Sequence, residues 1–188
     1  LHSKRPENRK NPGEVFHVFK RLMMFCCASA IALSSVVLAQ TNYPYKKPSD
    51  FKTLESFKTV AAFEASFGKY VQDCLDKTGG GSGGLECLIS DGMWDRELNI
   101  YYERLMKVLG QKERGLLKES QRAWIREREK TVDFNSALLD RKYAEETGSM
   151  YELMRARDAD EVIVPIVRQR ALLLKNWLEG LGRKAPGM

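Results

Sequence analysis

From residue 53 to residue 181 apolar side chains return every three or four positions, and no run alternates between polar and apolar residues in the manner of a strand. That period is helical, because residues i, i+3, i+4 and i+7 share one face of an α-helix. Val60, Phe63, Phe67, Val71 and Cys74 predict a first helix over 53–76, with Ser49 or Asp50 as its cap. Trp94, Leu98, Tyr101, Leu105 and Val108 predict a second over 85–109, stopped by Gly110. A third spans 111–143. A fourth region, 150–181, sets Ile163, Ile166, Val167, Arg170, Leu173, Leu174 and Trp177 on its buried side, and Pro165 is expected to restart or kink it. The expected fold class is all-α, a single domain of about four antiparallel helices over residues 53–182.

The connections are read from their glycines and prolines. Gly79-Gly-Gly-Ser-Gly-Gly84 has the composition of a flexible loop. It lacks the preceding strand and the Lys-Ser/Thr ending of a phosphate-cradling loop. Two prolines, Pro44 and Pro48, make residues 40–52 a flexible, extended tether, and residues 183–188 read as a disordered tail.

Residues 1–39 have a different pattern. Lys20-Arg21 precedes a largely apolar run, Leu22 to Leu38, and Val37-Leu38-Ala39 suits cleavage before Gln40. This is the pattern of an export leader; the run is short and soft for an uncleaved membrane anchor. No Cys follows the cut, so no lipid anchor is indicated, and the expected location is periplasmic or secreted, without stable membrane insertion after cleavage. Residues 1–19 are long for a leader's basic region and read as vector-derived or as lying upstream of a misplaced start. The leader holds six Lys/Arg and two acids, so most of the net charge of +6 goes with it. What remains gives no electrostatic case for nucleic acid.

Beyond the leader only Cys74 and Cys87 are left, one on each side of the glycine run. An oxidising compartment would join them in a disulfide; two free thiols, or half a metal site, is the rival reading. Zinc would need further ligands, and both histidines, His2 and His17, are in the leader. The same absence denies the mature chain a Ser-His or Cys-His nucleophile or a His general base. Glu97, Glu103 and Asp133 fall on faces rich in Lys and Arg and read as solvated surface. No enzyme, cofactor or metal is expected.

Two stretches combine apolar spacing with unusual polar residues. Leu117, Gln121, Trp124 and Arg128 share one helical face, which puts an amide and a guanidinium among large apolar groups. Inward polar groups need partners, since burying them unpaired costs several kcal/mol. Asp95, Asn99 and Tyr102, on one flank of the second helix beside Leu98, are the expected ones. The second and third helices are therefore read as a packed pair with a polar seam, Arg128 buried and held by Asp95 or Asn99.

Asp95-x-x-Leu98-Asn99-x-x-Tyr102-x-x-Leu105 followed by Leu117-x-x-x-Gln121-x-Ala123-Trp124-x-x-x-Arg128 resembles the signature of the LprI-like lysozyme-inhibitor family of small exported bacterial proteins, over residues 70–180. Cys74 and Cys87 resemble the family's first two cysteines, and Arg168-Gln-Arg170-Ala-Leu its C-terminal arginine segment. Val132 and Val162 stand near the places of a further cysteine pair, as if an apolar contact replaced a disulfide. The resemblance implies an exported, non-enzymatic helical protein whose partner is another protein, lysozyme in the first instance. A structural or protein-interaction module of the bacterial envelope is the alternative, because a shared fold does not fix a shared function. The motif residues look inward and read as fold determinants. A partner is expected instead at the disulfide end, with Gly81, Leu85 and Glu86 as candidate contacts; an acidic patch at Asp158, Asp160 and Glu161 is a further candidate.

Overall fold

The computed structural model describes residues 43–182, and the leader 1–39 and the tail 183–188 lie outside them. Two 3-10 turns, Pro48–Asp50 and Leu54–Ser56, lead into five α-helices: α1 Val60–Thr78, α2 Gly81–Leu85, α3 Ser90–Val108, α4 Gln111–Lys142 and α5 Ser149–Gly182. No strand occurs among the described residues.

The first helix starts later than its spacing predicts. Thr59, not Ser49 or Asp50, caps α1, its hydroxyl accepting from the Ala62 N–H at 3.1 Å. The preceding apolar residues serve tertiary packing instead: Phe51 meets the Tyr70 ring edge-on, Phe57 does the same to Phe63, and Leu54 is buried. Residues 43–52 are correspondingly no flexible tether. The Arg96 guanidinium of α3 donates to the carbonyls of Pro48, Phe51 and Lys52, and the Lys46 N–H donates to the Tyr70 hydroxyl at 2.8 Å.

The glycine run departs from its composition too. Gly79, at φ +69°, ends α1 in the left-handed region, where glycine carries no steric penalty. The chain then turns into α2, whose buried Gly84 packs against α5. A Cβ at Gly84 would stand 2.8 Å from Leu153 Cδ2 and 3.0 Å from Leu75 Cδ2, so the residue is needed for close approach, not for flexibility. Cys74 and Cys87, both fully buried, are joined in a disulfide with Cα atoms 5.7 Å apart.

α5 is the hub. It continues as one helix through Pro165, without the restart that was expected there; the Pro165 side chain is exposed. Val167, Ala171 and Leu174 of α5 and Met93, Trp94, Leu98, Tyr101 and Leu105 of α3 form the centre of the core. Phe63 of α1 closes it edge-on against Trp94, ring centroids 5.2 Å apart. α3 and α4 follow each other in the chain, yet they make no extended contact: each packs on α5.

The disulfide closes a sequence separation of 13 residues. Replacing Cys74 and Cys87 together by Ala should lower the unfolding free energy by about 3 kcal/mol, the entropy that such a cross-link removes from the unfolded chain. Urea unfolding of the two proteins measures it; equal midpoints would contradict the assignment.

Candidate functional site

The polar seam is divided: Gln121 of α4 finds its partner on α5 and not on the Asp95, Asn99 and Tyr102 flank of α3, whereas the expected Arg128–Asp95 contact does join α4 to α3. Gln121, near the middle of α4, is buried, and its amide oxygen accepts from Arg170 Nε of α5 at 2.9 Å. Arg170 Nη2 donates to the Ser120 hydroxyl at 3.0 Å. The guanidinium is 5.8 Å from the Trp124 ring centre and 5.6 Å from that of Trp177, so aromatic faces of both helices bound it. Arg170 is only 7% exposed, and no carboxylate of the described residues lies within ion-pair distance. Burial without a counter-ion pushes its pKa down.

Arg128 is not the buried member of the motif. It is half-buried, lies 5.1 Å from the Trp124 ring centre, and reaches Asp95 Oδ1 at 3.6 Å. The other oxygen of Asp95 accepts from the exposed Asn99 amide at 3.0 Å. Leu98 is in the core, and Tyr102 is partly buried against it. The seven motif residues thus divide: Leu98, Tyr102, Gln121 and Trp124 pack or bond inward, while Asp95, Asn99 and Arg128 form a chain of polar contacts at the rim.

Beside that chain stand two further acids. Burial first, and then Asp91, push the Asp160 carboxyl of α5 up to about 6. Asp91 is itself raised by burial and by Asp95, an effect partly offset by Arg128. Glu97 is also far from solvated surface: it is fully buried, and Arg96 Nη2 donates to its Oε1 at 2.8 Å. The Lys/Arg-rich flanks of Glu97 misled the sequence reading because its own position, between Trp94 and Tyr101 on the buried stripe of α3, decides its environment. Burial, followed by the charge of Glu97, raises the pKa of Tyr101. Arg170, Asp91 and Asp160 were the site residues that spacing alone did not bring together. Arg170 carried a signal, since it shares a face with Val167 and Leu174.

At the disulfide end, Leu85 and Glu86 line a shallow groove of about 310 Å³ with Tyr45, Lys46, Lys47, Pro48, Leu88 and Ile89. Glu86 is exposed and Leu85 half-buried. Gly81, at φ +60°, faces Ser149 at the start of α5 and does not line that groove. The Tyr45 hydroxyl donates to the Gly83 carbonyl at 3.0 Å, tying the N-terminal strap to α2. Of the other acidic candidates, Asp158 is bound by Lys142 and Tyr143, and Glu161 is exposed. Val132 lines a groove with Ala159 and Ile163, and Val132 and Val162 are both exposed.

Residues 85–162 match the family model described as Lysozyme inhibitor LprI. That span holds α3, α4 and the first part of α5, with Asp95, Gln121, Trp124, Arg128 and Asp160, and stops short of Arg170. No curated protein and no solved structure matches the chain.

Two predictions separate the arginines and the acids. Arg170→Ala should destabilise the fold by about 3 kcal/mol, because it leaves Gln121 buried without its donor. Arg128→Ala should cost about 1 kcal/mol or less, as for other half-exposed ion pairs. Equal effects in denaturant unfolding would refute the division. For Asp160 the folded protein holds the proton more tightly than the unfolded chain, so stability should fall as pH rises from about 4 to about 6. Asp160→Asn should flatten that slope and raise the unfolding midpoint at pH 7 while changing little at pH 4; an unaltered pH profile would show that Asp160 ionises normally.

Proposed function

With an LprI-type segment at residues 85–162 as the premise, we propose that this protein is an exported, non-catalytic binding protein that inhibits a lysozyme by protein–protein contact. The family match is the observation that carries the reading. The leader pattern at Lys20–Ala39 supports export and a mature start at Gln40. The buried disulfide is in keeping with an oxidising compartment.

The contact surface is placed at the disulfide end. Gln121, Trp124 and Leu98 are committed to packing and leave little side chain for a partner. Leu85 and Glu86, by contrast, stand on an end whose backbone is held by the disulfide, by α2 and by the Tyr45–Gly83 bond. A held surface loses less entropy on binding than a mobile loop would. Glu86 beside Lys46 and Lys47 offers both signs of charge, which favours orientation of a partner more than raw affinity. An envelope-interaction role draws its support from another feature, the exposed apolar side chains Phe134, Leu138, Met150 and Met154 of α4 and α5.

The test starts from protein secreted by a cell expressing the whole sequence. Its intact mass should begin at Gln40, and it should slow the turnover of a peptidoglycan suspension by lysozyme. Replacing Leu85 and Glu86 together by Ala should weaken inhibition at least tenfold with an unchanged helical signal. Unchanged inhibition would exclude the disulfide end, and a wild type that inhibits no lysozyme would overturn the inhibitor reading.

A further inference from the structure

The end of the molecule away from the α1–α2 glycine turn, where α3 ends, α4 begins and α5 ends, carries an apolar groove of about 480 Å³. Its walls are Leu105, Leu109, Leu116, Leu117, Trp177 and Leu181, with Ser120, Asn176 and Gly180 as the remaining lining residues. Trp177 is 42% exposed, Leu181 57% and Leu116 59%, so large apolar surface is open there. The volume is that of a small-molecule site, and a mostly apolar wall with a few polar groups is how such sites are built.

Two of the lining residues lead directly to Arg170. Ser120 accepts from its Nη2, and Trp177 covers one face of its guanidinium. Nη1 donates to none of the described residues and is not sealed from solvent. A nine-tenths buried cation whose hydrogen-bonding partners are all neutral therefore stands behind the wall of an apolar groove. The chemistry that answers both features is one anionic group on a long apolar chain. We propose that this groove binds a long-chain carboxylate, its alkyl chain along the leucines and its carboxylate at the Ser120 hydroxyl, with Arg170 behind that hydroxyl as the nearby positive charge.

A carboxylate there would accept a charge-assisted hydrogen bond from the Ser120 hydroxyl, whose oxygen already accepts from Arg170 Nη2, and would stand near a cation that has no other anion. The lowered pKa of Arg170 agrees with a cation lacking an anion. An extended peptide suits the groove less well. Its N–H and C=O groups would meet a wall with only the Ser120 and Asn176 side chains to satisfy them, and burying unsatisfied backbone groups is costly. The inference is independent of lysozyme inhibition, because its groove and the Leu85–Glu86 surface share no residue.

The probe is dodecanoate, titrated into the full chain below its micellar range and followed by tryptophan fluorescence and calorimetry. Saturable binding at one site is expected, with dodecanol, the same chain without the charge, bound at least tenfold more weakly. Leu116→Glu, at an exposed position, should keep the helical signal and lose at least tenfold in dodecanoate affinity. Arg170→Gln, where it folds, should remove the preference for the carboxylate over the alcohol. Absence of saturable binding, equal affinity for dodecanol, or full binding by Leu116→Glu would each overturn the proposal. So would a dimer in sedimentation that Leu116→Glu dissociates while no dodecanoate binds, which would give the groove to a second copy of the chain.

Discussion

The hydrogen bond from Arg170 to Gln121 fixes the buried part of α4 on α5; the other polar ties between the two helices, Arg155 to Asp140 and Ser136 and Lys142 to Asp158, lie nearer solvent at the far end of α4. Although α4 is the second-longest helix, its buried side chains are Leu117, Gln121 and Leu139. Apolar burial of that extent is non-directional and would tolerate sliding or rotation of one helix on another. A guanidinium with Gln121 and Ser120 as acceptors and Trp124 and Trp177 at its faces does not. Shifting α4 by a turn would strand a buried cation, and breaking such a contact costs far more than forming it yields. The motif spacing of Gln121 and Trp124, three residues apart, places both on the face that receives Arg170.

The two ends of the molecule are built on opposite principles. At the α1–α2 end the chain is tied repeatedly, by the Cys74–Cys87 disulfide, by Gly84 against Leu153, and by Tyr45 on Gly83; nearby, Arg96 holds the carbonyls of residues 48–52. A surface there is already held in place, which is what the proposed protein contact would draw on. Where α3 and α5 end, leucines line an open groove backed by a charge. These are different recognition chemistries: one offers a rigid face with mixed charge, the other an apolar slot with a single cation.

Asp91 and Asp160 approach from α3 and α5 with Asp95 and Arg128 nearby, and burial raises both carboxyls. A like-charged pair across the packed α3–α5 contact opposes the apolar burial that holds those helices together, and Arg128 offsets the repulsion only in part. The rim of the motif is therefore an electrostatic adjustment to acids that the core has brought close, and it contributes little attraction by itself.

The chain by itself determined what is local and periodic. The extents of α4 and α5, the stop at Gly110, the inward face of Leu98, Gln121 and Trp124, and a cysteine pair flanking a glycine run follow from spacing and composition, because a 3.6-residue period needs no knowledge of neighbours. Tertiary structure decided every question of partnership. Gln121 needed a partner on any reading, but whether it lay on the Asp95, Asn99 and Tyr102 flank or on α5 depended on which helices pack; adjacency in sequence found Asp95 for Arg128 and missed Arg170 for Gln121. Glycines that spell flexibility became a packed turn because Leu153 and Leu75 close on Gly84. Glu97 went inside with Arg96 because it shares a face with Trp94 and Tyr101, and residues 43–52 became a strap because Arg96 reaches their carbonyls. Apart from the burial of Glu97, which its spacing from Trp94 and Tyr101 already implied, these rest on contacts between different segments, and no local pattern encodes which segments will meet.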